Sequence, residues 1–205
     1  MFVVSYSGRP GHGRKAGDPV PALLAALEGI DLPLPPERTV GPQALAIADR
    51  AETALELVLR GVEAGPLAIG LGIGALERPV PAGVREIAGP ASQAAESALA
   101  AAVTTSQVSL AVRASDPRHA DTAADVEAVL RLIGWMIRAR SRGQWQAVHE
   151  LRADPTATQA RLAERLGVTQ QTVSRAVKTS GWREESAVHP LAVRLLSMID
   201  LTSAR

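Results

Sequence analysis

The spacing of apolar residues changes character along the chain. Phe2-Val3-Val4-Ser5-Tyr6 is a short β-prone run. Leu23, Leu24 and Leu27 recur at helical spacing and predict a short helix over 19–30. The stretch DLPLPPERTVGPQ is Pro-rich and admits only a brief extended piece near Arg38–Val40. From 44 to 63, Leu45, Ala48, Ala51, Leu55, Val58 and Leu59 fall near the 3.6-residue period and predict one long helix, ended by Gly65-Pro66. LAIGLGIGAL (67–76) is almost continuously apolar, as a buried strand is. Prolines at 79 and 81 mark a loop, and the Ala-rich stretch 90–103 predicts a helix with Pro90 in its first turn. QVSLAVR (107–113) alternates like a strand, and Asp116-Pro117 opens a linker. From about Asp121 onward the pattern is helical, led by a stripe of Val126, Val129, Leu130, Ile133 and Ile137. The order is mixed α/β to about residue 115 and all-α afterwards.

Within the helical part, TQARLAERLGVTQQTVSRAVKTSGW (158–182) carries the most specific pattern. Leu162 and Leu166 face a core at four-residue spacing, and Ala163 is small enough to sit at a helix crossing. Gly167 ends the first helix, because the turn requires a positive φ that glycine adopts without Cβ strain. Val168 is expected to plug the turn. Thr169 is a good N-cap for the second helix. Val173 and Val177 then point inward, which leaves Gln170, Gln171, Ser174, Arg175 and Lys178 outward. Gln suits the edge of adenine, Arg that of guanine, and Lys a phosphate. That outward face holds no acid, unlike an ordinary solvated helix face. A preceding helix, RGQWQAVHELR (142–152), completes a three-helix unit with Trp145, Val148 and Leu151 inward. A short apolar helix after Trp182, with Leu191, Leu195, Leu196 and Ile199, either caps the core or pairs with a second copy; pairing is favoured because helix-turn-helix proteins usually read two half-sites as dimers.

Charge sharpens this. The chain of 205 residues has a formal net charge of +1, but 138–183 holds nine basic and three acidic residues, a local +6 on a body at −5. A basic segment of this kind is a polyanion-binding surface. Aromatics make up only 2% of the chain, so the core is aliphatic, and Trp135, Trp145 and Trp182 are expected to plug the helical part. There is no cysteine, no His spacing of the metal-binding kind, no P-loop and no G-x-S-x-G. Asp121, Asp125 and Glu127 read as partners of a helix N-terminus. No cofactor, metal site or catalytic residue is expected. The absence of a long apolar run or signal-like start predicts a cytoplasmic protein without membrane contact.

Gly70-Leu71-Gly72-Ile73-Gly74-Ala75 satisfies the dinucleotide fingerprint G-x-G-x-x-G/A, yet its sequel, LERPVPAGV, cannot open the helix that would hold a pyrophosphate. The glycines are better read as positions of close backbone approach on a strand.

The segment LAIGLGIGALE, followed by GVREIAGPASQAAESALAAA and by the helix-turn-helix ending near SGW, resembles the SatD family over about residues 1–200. The resemblance implies a front domain similar to the nucleotidyl-cyclase fold. The expected fold class is therefore an α+β N-terminal domain, a ferredoxin-like or nucleotidyl-cyclase-like sheet with helices, followed by an all-α helix-turn-helix domain. The expected boundaries are 1–115 for the front domain, 116–141 for a linker helix and 142–205 for the helix-turn-helix domain with its C-terminal helix. In the family, carboxylates sit at the end of the first strand and in a hairpin turn. Here Ser5 or Ser7 stands at the first position and Gly41-Pro42-Gln43 at the second, so metal-dependent phosphoryl chemistry is expected to be absent. The loop SGRPGHGRK still offers Arg9, Arg14, Lys15 and glycine amides to a nucleotide or other small anion.

Taken together, these features predict a homodimeric regulator of double-stranded DNA. Its reading residues would be Thr169, Gln170, Gln171, Ser174, Arg175 and Lys178, and its inactive cyclase-like domain would sense a ligand or dimerise. A protein-binding adaptor and a nucleotide-processing enzyme are the alternative classes.

Overall fold

The computed structural model describes residues 1–8 and 17–203, with side chains described through Asp200. Arg9, Arg14 and Lys15 lie outside the described residues. The chain runs β1 (Phe2–Gly8), α1 (Val20–Leu27), β2 (Glu37–Arg38), β3 (Gln43–Ala48), α2 (Ala51–Ala64), β4 (Leu67–Ile73), α3 (Pro90–Val103), β5 (Leu110–Ala114), α4 (Ala120–Arg138), α5 (Arg142–Ala153), α6 (Gln159–Leu166), α7 (Gln170–Thr179) and α8 (Trp182–Ser203).

The five strands form one sheet in the order β2-β3-β1-β4-β5. β1 pairs antiparallel with both β3 and β4, and β2 pairs antiparallel with β3. The connectivity β1-α1-β2-β3-α2-β4 with this order is the ferredoxin-like split βαβ. A further crossover through α3 adds β5 parallel to β4. The architecture is thus a five-stranded α+β sheet with helices, followed by an all-helical region.

Strand alternation divides the core between the two faces. Phe2, Val4 and Tyr6 join Leu67, Ile69, Leu71, Leu110 and Val112 in the main cluster, under α1, α2, α4 and α8. Val3 and Ile47 face the other way, onto Ala91 and Ala95 of α3. Tyr6 is fully buried, and its hydroxyl donates to the Leu57 carbonyl at 3.0 Å. Burial pushes its phenol pKa up, beyond the ordinary tyrosine range.

The glycine run is explained on the α3 face. A Cβ at Gly70 would lie 2.6 Å from the Ala95 carbonyl oxygen and 2.7 Å from Leu99 Cα. At Gly72 it would fall under 3.0 Å from Ala91 O and Ala95 N. These are backbone atoms, so no rotamer change relieves the clash. The glycines let α3 lie directly on β4, and α3 itself starts at Pro90.

One expected helix divides. Residues 43–48 form β3, and the helix begins only at Ala51. Ala44, Ala46 and Ala48 turn to the main core while Leu45 and Ile47 turn to the α3 side. This is a period of two, and six-residue pairing with β1 overrides the helix preference of alanine.

Two further expectations change. Trp135 is 59% exposed on α4, whereas Trp145 and Trp182 are half-buried. The apolar face of α8 is taken up within the chain. Ala192, Leu196 and Ile199 are buried in the main core against α4 and α2, while Leu191 stays exposed. Among the described residues no helix is long and apolar enough to cross a membrane.

Candidate nucleic-acid interface

Three helices build the candidate surface. Ser141 caps α5 in a capping box with Gln144, whose amide also reaches Thr179 at the end of α7 (2.9 Å to its carbonyl). Thr158 caps α6, its hydroxyl accepting from the Arg161 N–H. Gly167 closes α6 at φ 64, the left-handed conformation, with the Val168 N–H donating back to Ala163 O. Thr169 then caps α7, accepting from the Thr172 N–H at 3.2 Å.

A small core of Ala147, Leu162, Ala163, Val173 and Val177 holds these helices together. Leu151 and Leu166 are half-buried at its margin. Val168 does not plug the turn. It is 43% exposed, because the left-handed Gly167 sends the chain outward before α7 starts.

The inward valines decide what α7 shows to solvent. Thr169, Gln170, Gln171, Arg175 and Lys178 are exposed, and Ser174 is half-buried on the same helix. All six lie on α7 or its cap. Arg175 and Lys178 form no ion pair with a described residue.

The charge surplus is partly consumed inside the molecule. Arg138 donates to the Gln107 and Leu67 carbonyls, and Arg165 pairs with Glu150 and Asp154. Arg140 and Arg152 converge on Glu185, which is 0% exposed, and Arg152 also reaches Glu63 at 2.6 Å. Arg152 sits 4.9 Å from the Trp182 ring centre and 5.7 Å from that of Trp145. Burial alone pushes the Glu185 carboxyl up, but His189, Arg140 and Arg152 outweigh it and hold the group below its ordinary range. Among the described residues, the cations of 138–183 with no ion pair are Arg142, Arg161, Arg175, Lys178 and Arg183, all exposed. Arg142, Arg161 and Arg183 lie on α5, α6 and α8, and the sequence marked them only through total charge.

In the front domain, Ser7 and the turn Gly41-Pro42-Gln43 are neighbours. Ser7 pairs in register with Gln43, and the Gly8 N–H donates to Pro42 O at 2.8 Å, beside the turn at Gly41. The groups offered there are hydroxyls and an amide. Asp18 is held by Arg38 and the Val20 N–H, which keep its carboxyl below the usual range. Asp121 lies in the first turn of α4, and Glu127 binds Arg113, Arg131 and the Val112 N–H. Both serve local structure.

The molecule thus joins an α/β sheet to a three-helix helix-turn-helix module. Residues 140–179 match the MarR family profile, and members of that family are transcription regulators. The match spans α5 to α7 and ends at the last residue of α7. No curated protein and no solved structure matches the chain. The likeness of the front half to the SatD family has no counterpart among these comparisons.

Proposed function

We propose that the protein is a DNA-binding transcriptional regulator that lays α7 in the major groove. The observation that carries this reading is the face of α7: Val173 and Val177 are spent on the core, while Gln170, Gln171, Arg175 and Lys178 stand exposed on a helix whose outward side has no acid. Gln171 and Arg175 are the base-reading residues, Gln170 and Ser174 adapt to base edges or sugar, and Thr169 and Lys178 contact phosphate. The protein acts as a homodimer on two half-sites. The front sheet lacks phosphoryl-transfer chemistry, because serine, proline and glutamine at its strand end do not hold Mg²⁺ as paired carboxylates do, and it senses a ligand or dimerises.

The test is selection of bound duplexes from a random library with the intact protein. The expected result is a consensus of two half-sites about 10 base pairs apart. Recovery of no enriched motif overturns the reading and favours a protein-binding adaptor. Metal-dependent turnover of ATP or GTP overturns the assignment of an inactive front domain.

A further inference from the structure

Helix α4 packs Val126, Leu130, Ile133 and Ile137 into the main core. On an ordinary amphipathic helix the far side would then be polar. Here the exposed positions between 124 and 136 are Ala124, Asp125, Ala128, Leu132 and Trp135, and four of these five are apolar. Leu132 is 66% exposed and Trp135 59%. Asp121, Asp125, Ala128, Leu132, Trp135 and Ala139 are all exposed and alternate four and three residues apart, the seam along which one helix lies on another. Beside the seam, Ala124, Ala128, Gln107 and Val108 line a hollow of about 710 Å³ bounded by Leu132 and Trp135. A large ring next to a hollow of small residues is the anatomy of a protein interface.

The neighbouring sheet edge is closed to a foreign strand. β5 is an outer strand of the sheet. Glu127 accepts from the Val112 N–H at 3.0 Å, and the Arg113 guanidinium donates to the Val112 carbonyl at 2.7 Å. These two side chains occupy the edge groups of Val112 that strand addition would need. Glu127 also pairs with both Arg113 and Arg131, so the rim of the hollow is balanced in charge. A partner therefore arrives as a helix on α4 and not as a sixth strand.

Charge along α4 identifies the helix that fits. The exposed acids Asp121 and Asp125 lie near its start, and the exposed cations Arg138 and Arg142 lie at its end and at the first residue of α5. Asp121 and Asp125 make no ion pair with a described residue. A second α4 laid antiparallel sets acids against cations at both ends at once, whereas a parallel copy sets like against like. We propose that the chain dimerises through an isologous, antiparallel contact of α4 with α4 of a second copy, centred between Ala128 and Leu132, with each Trp135 covering Ala124 and Ala128 of the other. This deepens the homodimer of the DNA-binding reading and rests on it for its use: α4 runs into α5 across Ala139, Arg140 and Ser141, so the contact fixes the separation of the two α7 helices. The 19 residues of α4 make a seam about 28 Å long. That is short of a standard interface, and a Kd of about 10 µM is expected.

The experiment is sedimentation equilibrium of the intact chain without DNA, over concentrations that bracket this Kd. The expected result is a monomer–dimer equilibrium. Trp135→Ala and Leu132→Arg should each weaken the dimer about tenfold or more. Both side chains are exposed, so the melting temperature of the dilute monomer should not change. Asp125→Asn removes an ion pair at each end of an antiparallel contact and should weaken the dimer about threefold, whereas it would relieve repulsion in a parallel one. A monomer at every concentration, or a dimer that keeps its Kd in Trp135→Ala and Leu132→Arg, overturns the interface. An unchanged or tighter dimer in Asp125→Asn overturns the antiparallel order. No duplex is present, so these outcomes judge the interface even for a protein that binds no DNA, and the duplex selection judges the DNA-binding reading separately.

Discussion

Arg175 leaves α7 between two buried positions, Val173 and Val177, and so has no route back into the core. Its guanidinium and the Gln171 amide are the groups best suited to base edges. Arg175→Ala and Gln171→Ala are each expected to cost about 1–3 kcal/mol on the selected duplex while sparing non-specific binding. Lys178→Ala should weaken all duplexes alike and reduce the slope of log affinity against log salt by about one. Filter binding at several salt concentrations separates the two patterns. On the sheet, Gly72→Ala places a methyl group against the Ala91 and Ala95 backbone, and urea unfolding should show a loss of about 3 kcal/mol. The exposure of Gln171 and Arg175 was legible from valines four apart, a local signal. The role of Gly72 was legible only as close approach, since nothing in the sequence says that α3 is the element approaching.

At the level of the elements, the helix-turn-helix was legible because its signals are short-range. Gly167 must take a positive φ, and Thr169 must cap the helix that follows. Gly167→Ala should cost about 1 kcal/mol through left-handed strain, and Thr169→Ala about as much through the lost cap. Hydrogen exchange on α6 and α7 should register both, with the α3 amides unmoved. β3 was not legible, because alanines alternating with Leu45 and Ile47 satisfy a helical and a strand period at once. Pairing with β1, about 40 residues earlier in the chain, decides between them. Val168 and Trp135 misled in the opposite sense. Apolar side chains near a turn or on an amphipathic helix usually turn inward, yet both face solvent here.

Across the whole molecule, the buried pair Arg140–Glu185 and the half-buried Arg152 and Glu63 join parts of the chain that no local pattern connects. The sequence showed these arginines only as charge available to a polyanion, and two of the nine are spent there. The folded-state pKa of Glu185 lies below its ordinary value of 4.5. Its contribution is therefore fully present above about pH 4.5 and is lost as pH falls through the lowered value. The melting temperature should drop on acidification through that window. Glu185→Gln should flatten this acid dependence and, by leaving Arg140 buried and uncompensated, cost about 3–5 kcal/mol at pH 7.

The return of α8 to the main core has a consequence for surgery on the gene. Arg140 Nε donates to the Ser180 carbonyl at 2.8 Å, so the chain leaves for α5 and comes back from α7 through neighbouring points. The three-helix unit is therefore an excursion spliced into the body. Excising 142–181 and joining the ends with a short glycine bridge should leave a remnant that melts cooperatively. Stopping the chain after Gly181 retains the excursion but strips Ala192, Leu196 and Ile199 from the apolar surface of α2 and α4. That truncated protein should be the one that aggregates.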